Sequence, residues 1–558
     1  MILFQDKKSE EKLEEIKIKE EEDLAKILAN KYKLPYVNLS LISIDIDALK
    51  LIPEEKARTA QVAAFQITGK KLQVAILSPN MQITKDVIGE LKEKEYKVNL
   101  FMATSIGLER AWKRYAEVPK YVEITKGVIE VSSDRIEEYT NKVKTFDDLK
   151  TIFESFTAEK KKRKVSEVVE VIMAGAIKSD ASDIHLEPKD GSVGFRLRID
   201  GVLHEIFDFN YDVYHFLLSR IKLVSGLKLN IKDKAQDGRF SIHIKDLEIE
   251  IRVSLIPGGY GESIVMRILN PKSISVTFES LGIEPHLYEI LSREIERPNG
   301  MLLTTGPTGS GKTTTLYAIL KKINSPDIKI ITLEDPIEYH LTGITQTQTN
   351  EKQGYTFANG LRAILRQDPD VILVGEIRDL ETAKIAINSA LTGHLVLSTL
   401  HTNNAAGTIP RLIDLGVNPN IIAPALNISL AQRLVRKLCP KCKKQVAPQG
   451  KELETIKKIL DSFPKNIPVP DIKNITAWNA IGCVECNSIG YKGRIGVYEA
   501  ILLDENIEML ILDRPSESAI QKSSQGQGIL NMAQDGILKV INGTTSLEEL
   551  KRVIELEV

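Results

Sequence analysis

The segment Gly306–Thr313 combines residue types and a spacing that suit phosphate binding. It reads Gly-Pro-Thr-Gly-Ser-Gly-Lys-Thr and follows the short apolar run Met301–Leu303. The glycines let successive backbone N–H groups curl around phosphate oxygens, and the positive end of the following helix dipole attracts the same anion. Lys312 is expected to reach the β- and γ-phosphates, and the Thr313 hydroxyl is expected to bind Mg²⁺. The sequence therefore predicts a P-loop that binds a nucleoside triphosphate. The residues predicted to contact it here are Gly306, Pro307, Thr308, Gly309, Ser310, Gly311, Lys312, Thr313 and Thr314.

Acidic residues follow two further apolar runs that read as buried strands. The run 330–333 leads into Glu334, Asp335 and Glu338, and the run 371–374 leads to Glu376. Because the carboxyl ends of parallel strands face the ligand crevice, these acids are expected near the phosphates. Hydrolysis of ATP needs one carboxylate that holds Mg²⁺ and one that orients or deprotonates the attacking water. Spacing alone does not decide which of Glu334, Glu338 and Glu376 takes which task.

A third apolar run, 395–400, has a histidine at each end, His394 and His401. A single histidine is usually a structural residue. A pair that brackets a strand is better explained if His401 senses the γ-phosphate and His394 supports an acid.

Four arginines are candidates because arginine can stabilise the charge that builds up during phosphoryl transfer. Arg362 and Arg366 lie four residues apart, on one face of a predicted helix. Arg252 and Arg267 lie on β-like runs of an earlier segment. For any one of them, a surface salt bridge is the alternative reading.

All four cysteines of the chain fall into two Cys-x-x-Cys pairs, Cys439 with Cys442 and Cys483 with Cys486. Two such pairs can supply four thiolates to a tetrahedral zinc ion. Redox dithiols and unpaired structural cysteines are the alternatives. No thioredoxin-like pattern surrounds the pairs, and stable disulfides are uncommon in cytosolic proteins. We therefore expect a structural zinc site, in which four protein ligands leave no open position for catalysis.

The length, composition and net charge of the chain limit the class of protein to which these sites can belong. The 558 residues are 42% hydrophobic and 27% charged, which is ordinary for a chain of several globular domains. Lysine and arginine number 75 against 76 acids, and aromatic residues make up 6%. These values argue against a nucleic-acid translocase, which needs a basic groove with stacking rings. The charged start, Met1–Glu22, does not read as a signal peptide, and no run spans a bilayer, so we expect a cytoplasmic protein.

Changes of pattern along the chain predict six segments, with strands and helices alternating around the P-loop as in a parallel α/β sheet. They are an N-terminal α+β domain for docking or regulation (1–115), a charged linker (116–163) that ends in the basic run Lys160–Lys164, a second α+β domain (164–275), the ATPase core (276–435), a four-cysteine module (436–495) and a C-terminal helical part (496–558).

Together these motifs resemble the secretion ATPase superfamily, in its branch of type IV pilus assembly and type II secretion ATPases. The resemblance extends from about Val165 to the end of the chain. It depends on the P-loop, the acid box 332–338, the strand 370–376, the histidine box 392–402 and three motifs of the second domain at 182–188, 196–201 and 236–239.

The resemblance implies a RecA-like core preceded by a PAS-like domain and a small N-terminal domain. It further implies a homohexamer that hydrolyses ATP to drive pilin polymerisation through an inner-membrane platform protein, with membrane contact only through such partners. It makes Glu338 the general base and Glu376 the Walker-B acid, with Arg252 and Arg267 supplied to the nucleotide by the second domain. ATP, Mg²⁺ and Zn²⁺ are the implied ligands.

The resemblance also suggests which branch of the superfamily the chain belongs to and what its N-terminal domain does. The four-cysteine module is typical of assembly and secretion ATPases, and retraction ATPases as a rule lack it, so extension is favoured. Residues 24–115 resemble the later part of the family's N-terminal domain, but the Arg-Leu-Gly motif by which many relatives bind cyclic di-GMP is not found. We therefore expect this domain to dock to the platform or to a coupling protein. A nucleotide-switched scaffold without hydrolysis is disfavoured, because Glu338 and Glu376 are both present.

Overall fold

The computed structural model describes residues 19–42, 44–49, 51–68, 71–93, 96–116, 133–158, 167–244, 247–269, 276–469 and 475–556. The basic run Lys160–Lys164 lies outside these described residues. The chain divides into two compact units, Met1–Thr125 and Lys126–Val558. Within the described ranges, every helix is too short or too polar to cross a membrane.

The first unit is a small α+β domain. Strand β1 (Val62–Thr68) pairs antiparallel with β2 (Lys71–Ile76), which pairs in parallel with β3 (Lys97–Met102). Residues 19–32 are helical. The other helices are α1 (Ile46–Leu49), α2 (Glu54–Thr59), α3 (Gln82–Glu93) and α4 (Ser105–Lys113). The indole of Trp112 closes this core, since its Nε1–H donates to the Val62 carbonyl at 2.9 Å.

The second unit begins with a six-stranded antiparallel sheet in the order β6-β5-β4-β9-β8-β7. Its strands are β4 (Asp183–Lys189), β5 (Ser192–Ile199), β6 (Val202–Phe209), β7 (Gln236–Ile244), β8 (Leu247–Gly258) and β9 (Gly261–Leu269). Strand β5 alternates strictly between buried and partly exposed residues, as expected for a sheet covered on one face. The covering helices are α5 (Ser133–Lys142), α6 (Phe146–Ala158), α7 (Val168–Lys178) and α8 (Tyr211–Val224).

Helices α5 and α6 fall in the segment for which the sequence predicted a charged linker. Their apolar residues Ile136, Leu149 and Phe153 are buried in the core of the sheet domain. Phe153 makes edge contacts with Phe195 and Phe209 on the strands. The few apolar residues of this segment are spaced at helical intervals among many charged residues. The high charge content therefore suggested a linker, although one face of each helix packs against the sheet. Between residues 133 and 158 the chain is therefore part of the second domain's core.

The P-loop sheet has seven strands in the order β12-β11-β13-β14-β10-β15-β18. They are β10 (Gly300–Thr305), β11 (Ile330–Glu334), β12 (Thr345–Gln348), β13 (Val371–Val374), β14 (Leu395–Leu400), β15 (Leu426–Leu438) and β18 (Tyr491–Leu502). All neighbours are parallel except β15 and β18. Every residue of β10, β11, β13 and β14 is buried, because helices cover both faces. The predicted α/β class with a RecA-like core is confirmed.

The helices of this part surround the sheet and extend to the C-terminus. They are α9 (Pro285–Ile295), α10 (Lys312–Ile323), α11 (Phe357–Ile364), α12 (Leu380–Leu391), α13 (Thr408–Asp414), α14 (Pro419–Ala425), α15 (Gly450–Asp461), α16 (Glu505–Leu512), α17 (Glu517–Ser524), α18 (Met532–Ile541) and α19 (Leu547–Val553). The four-cysteine segment lies between β15 and β18 and contains the short pair β16 (Lys444–Val446) and β17 (Ala477–Asn479).

A buried ion pair fixes the end of β15, the strand that leads from the P-loop sheet into the four-cysteine segment. Arg436 Nε and Nη2 donate to Glu549 Oε2 at 2.9 and 2.6 Å, and the Arg436 backbone N–H donates to Oε1 at 3.0 Å. The Glu549 side chain is 0% exposed. Burial acts to raise the pKa of Glu549, but hydrogen bonds from Arg552 and Arg436 outweigh it and hold the pKa below its ordinary value of 4.5.

Glu549→Ala is expected to lower the free energy of unfolding by about 3 kcal/mol, because it leaves a largely buried guanidinium without its carboxylate. A depressed carboxylate pKa adds stability above the unfolded value and loses it as the pH falls, so the effect should be full at neutral pH and shrink below about pH 4.5. Denaturant unfolding measures both. The control is Glu452→Ala, whose exposed carboxylate lies 3.7 Å from Lys551 and should matter little. Equal losses for the two variants would contradict this reading of the pair.

Candidate active site

The P-loop spans the turn between β10 and α10, at the carboxyl edge of the parallel sheet. Gly306, Gly309 and Gly311 have φ values of 144°, 79° and 91°, in the region that favours glycine. A Cβ at Gly306 would lie 2.6 Å from the Gln432 carbonyl oxygen, and one at Gly311 would lie 2.7 Å from Gln432 Nε2. The loop is therefore held close against β15, and two of its glycines are needed for that approach.

The structure is consistent with an anion at this loop. Pro307, Thr308, Gly309, Thr313 and Thr314 are exposed at its mouth. Ser310 Oγ is buried and has no hydrogen-bond partner among the described residues. The Thr313 hydroxyl and the nearby carboxylates are hard oxygen donors, the kind that Mg²⁺ prefers. The residues present thus fit a phosphate chain with its metal ion.

Two cations lie beside the loop. Lys312 Nζ donates to the carbonyls of Gly306 and Pro307 at 2.8 and 3.1 Å. Burial lowers the pKa of Lys312, Glu376 acts in the opposite direction, and the charge of Arg433 lowers it further. The Arg433 guanidinium donates to the Asn403 and Gln432 carbonyls at 2.7 and 3.2 Å. Lys312 and Arg433 are partly buried, and the hydrogen bonds that they donate among the described residues go to backbone carbonyls. Such cations attract a bound anion.

Glu376 and His401 lie together at this edge, after β13 and β14 respectively. His401 Nε2 is 3.5 Å from Glu376 Oε2, and Arg378 Nη2 is 2.6 Å from Glu376 Oε1. The Glu376 side chain is 13% exposed, whereas His401 is half exposed. The structure thus brings Lys312, Glu376 and His401 to one place.

Glu338 lies in the loop after β11 and contacts the second domain. Arg252 Nη1 donates to Glu338 Oε2 at 3.2 Å, and Arg252 Nη2 donates to the Ile337 carbonyl at 2.9 Å. Both side chains are about one third exposed or less, at 28% and 33%. The candidate base and a candidate arginine are therefore partners within one chain.

Arg252 belongs to a row of arginines that runs across the exposed face of the second-domain sheet. Arg239 is directly opposite Arg252, and Arg252 is directly opposite Arg267. Arg267 Nε donates to Asp183 Oδ1 at 3.1 Å, and its side chain is 60% exposed. Like charges at directly opposite positions are destabilising. The carboxylates of Glu250, Glu338 and Asp183 lie against this row and reduce the repulsion.

Glu334 and Asp335 have different surroundings. Glu334 is buried and accepts hydrogen bonds from Thr332 Oγ1 at 2.6 Å, from Gln346 Nε2 at 3.2 Å and from the Tyr317 hydroxyl. Its two oxygens are therefore engaged by groups within the protein. Asp335 is exposed and precedes a cis peptide bond to Pro336.

The structure gives the other predicted residues partners outside the phosphate loop. Arg362 is bonded to Glu381 Oε1 at 2.5 Å, and Arg366 donates to the Arg362 carbonyl at 3.0 Å. His394 precedes β14, where its carbonyl accepts from Gly300 at the first residue of β10. That is the amino edge of the sheet, about 17 Å from the P-loop along five residues of strand. Its Nδ1 lies 3.0 Å from the Ser389 carbonyl oxygen.

The four cysteine sulfurs form one cluster. Cys439 Sγ is 3.9 Å from Cys483 Sγ, Cys442 Sγ is 3.8 Å from Cys486 Sγ, and all four lie within 4.8 Å of one another. A tetrahedral ion with Zn–S bonds of about 2.3 Å requires sulfur separations of about 3.8 Å. The cluster therefore could hold a metal ion of that size.

Backbone donors surround one of these sulfurs. The N–H groups of Cys483 and Gly490 donate to Cys486 Sγ at 3.2 Å each. Burial acts to raise the pKa of the Cys486 thiol, but these donors outweigh it, and the pKa lies below its ordinary value. This environment favours the metal-binding thiolate form of Cys486, whereas burial raises the pKa of the Cys442 and Cys483 thiols.

Sequence reasoning missed Arg433 and Gln432. The signal was a pair of polar residues that interrupts the apolar run of β15. Only the sheet order shows that this strand lies beside β10, with Ala431 opposite Thr305.

Comparison with known protein families and chains agrees with this site. The family described as "Type II/IV secretion system protein" matches residues 158–552. The MshEN domain matches residues 32–119.

Individual relatives cover most of the chain. The chain is 35% identical to the type IV pilus assembly ATPase PilB of Myxococcus xanthus, over 95% of this chain and 91% of the relative. It is 45% identical to the type II secretion system protein E of Aeromonas hydrophila, over 69% and 75% of the two chains. A solved structure of the pilus retraction motor PilT with bound ADP is 28% identical, with a TM-score of 0.46, and covers 68% of this chain and 95% of that chain.

The resemblance read from the motifs is therefore confirmed. The match covers the P-loop, both acidic strand ends and the cysteine cluster. This protein is an ATPase and belongs to the type II/IV secretion system protein family.

Proposed function

We propose that this ATPase is a hexameric motor that couples ATP hydrolysis to pilin polymerisation, through a platform protein of the inner membrane. The observation that carries the proposal is the similarity to a pilus assembly ATPase over 95% of this chain, which includes the N-terminal unit. The family membership establishes the ATPase activity. The extent of the similarity to a pilus assembly ATPase supports pilus assembly as the process that this ATPase powers.

The described contacts support distinct roles for the residues at the carboxyl edge of the sheet. Lys312 binds the β- and γ-phosphates against the P-loop glycines, where its reduced hydration strengthens the attraction. Glu338 acts as the general base on the attacking water, because its carboxylate is partly exposed and is held 3.2 Å from Arg252 Nη1. His401 lies next to Glu376 and contacts the γ-phosphate.

The remaining charges stabilise the transition state. Arg252 and Arg267 face the nucleotide from the second domain and neutralise the charge that spreads over the transferred phosphoryl oxygens. Thr313 and Glu376 are the residues that would hold Mg²⁺, which when bound neutralises phosphate charge. The Arg267 side chain is 60% exposed and could therefore reach a bound phosphate.

The partners follow from the same proposal. Six copies form a ring, and the N-terminal unit docks to the platform or to a coupling protein. The motor works at the cytoplasmic face of the inner membrane, and it reaches that membrane only through pilus assembly proteins. Nucleic acid is not among its substrates.

Type II secretion is the second candidate. It is favoured by the higher identity, 45%, to a type II secretion protein over 69% of the chain. A pseudopilus for DNA uptake would use the same chemistry, and a nucleic-acid translocase is the least supported alternative, given 75 basic against 76 acidic residues.

Glu338→Gln tests the proposed function in the cell of origin. The variant should lower ATP turnover by about 10² to 10⁴, because the amide cannot accept a proton. Surface filaments, counted by electron microscopy, should then disappear. The control Glu289→Gln changes an exposed glutamate of α9 and should leave both turnover and filaments unchanged.

The alternatives give other results in the same experiment. Loss of exported proteins while filaments persist would assign the motor to secretion. An excess of filaments would mean retraction, and full turnover in Glu338→Gln would contradict the assignment of the base.

We also propose that the cysteine cluster holds one structural zinc ion. Cys439→Ser should abolish stoichiometric zinc, measured by metal analysis, and should lower the melting temperature, since metal affinity contributes to folding. The control Val484→Ala alters an exposed residue of the same segment and should keep the zinc. A zinc-free wild type with the same melting curve as Cys439→Ser would contradict the proposal.

A further inference from the structure

Glu334 is the last residue of β11, Glu338 lies in the loop that follows, and the two glutamates have different surroundings. Glu338 is partly exposed and bonded to Arg252, whereas Glu334 is 4% exposed and bonded, among the described residues, to groups of its own domain. A buried carboxylate is costly unless its oxygens are satisfied. The hydrogen bonds that Glu334 accepts offset this cost, and its partners show which elements those bonds connect.

The first partner is Tyr317 on the P-loop helix α10. Its hydroxyl donates to Glu334 Oε2. Tyr317 lies one turn after Thr313, on the same helical face. Burial and the Glu334 charge raise the pKa of Tyr317, whereas the backbone N–H groups of Glu338 and Tyr339, which point to its oxygen, act in the opposite direction. The Tyr317 hydroxyl thus contacts both Glu334 and the backbone of the loop that carries Glu338.

The second set of partners comes from β12. Gln346 Nε2 donates to Glu334 Oε1 at 3.2 Å and to the Tyr339 carbonyl at 2.9 Å, and Gln346 Oε1 accepts from the Leu341 N–H at 2.7 Å. Gln348 Oε1 accepts from the Ile337 N–H at 3.4 Å. The residues on either side of Glu338 are thus bonded to two glutamine side chains.

These bonds connect α10, the helix that follows the P-loop, to the loop that carries Glu338, the proposed base. We propose that Tyr317, Glu334 and Gln346 are positioning residues, which hold Glu338 in register with α10 and so with the phosphates bound at its amino end. The inference deepens the proposed function, because it depends on the role of Glu338 as the base. Glu334 then does not contact nucleotide or Mg²⁺, although its place after β11 suggested that it would.

Tyr317→Phe is the most direct test, because it removes one hydroxyl and keeps the ring. It should lower kcat by about tenfold to a hundredfold, the scale expected when a catalytic group is misplaced by about 1 Å, and change KM for ATP by less than about twofold. Gln346→Leu breaks the network from the other side and should have the same effect. The control Tyr288→Phe removes a tyrosine–glutamate bond on α9, to Glu279 at 3.3 Å, and should change neither constant.

The same substitution in a Glu338→Gln background separates positioning from general damage. If Tyr317 acts through Glu338, adding Tyr317→Phe should change the residual rate by less than about twofold. A further loss equal to that in the unmodified chain would overturn the proposal, and so would full kcat in both Tyr317→Phe and Gln346→Leu. Full turnover in Glu338→Gln alone would refute the base itself, which is a separate failure.

Discussion

The parallel register of β10 with its neighbours is the constraint on which the site depends. Gly300 to Thr305 pairs residue by residue with Leu395 to Leu400, and β15 continues the same parallel order on the other side. The loops after these strands therefore leave the sheet at one edge. Lys312, Glu376 and His401 follow β10, β13 and β14 and meet there, and Arg433 on β15 lies beside them. A slip of one register position would move a whole loop away from the phosphates.

Opposite charges hold this edge together and also connect it to the second domain. Glu376 lies between Arg378 and His401, and Glu338 is bonded to Arg252 of the neighbouring antiparallel sheet. Arg252 of the second domain contacts the Glu338 side chain, and Tyr317, Glu334 and Gln346 of the ATPase core hold the loop that carries Glu338. The position of Glu338 therefore depends on both domains. If Glu338 is the base, as proposed, this position would make hydrolysis depend on the arrangement of the two domains.

Much of this could be predicted from the sequence, because local patterns carried the information. The P-loop spacing, the apolar runs before the acids and the paired cysteines are all short-range signals, and they gave the α/β class, the ATPase family and the four-cysteine cluster. Long-range pairing was not visible. Arg433 could not be placed without the strand order, and His394 could not be assigned to the amino edge. Glu334 and Glu338 looked equivalent in the sequence. Their different surroundings come from contacts with Gln346 and Gln348 on β12, and the pairing of β12 with β11 cannot be read from local sequence.

The most direct measurement is a structure of the assembled protein with Mg²⁺ and a non-hydrolysable ATP analogue. The account predicts the phosphates at Gly306–Thr313, with the Glu338 carboxylate about 2.6–3.2 Å from a water in line with the γ-phosphate. Glu334 should keep its bonds to Tyr317 and Gln346. A γ-phosphate water held by Glu334 or by Glu376, with Glu338 turned away towards solvent, would contradict the account.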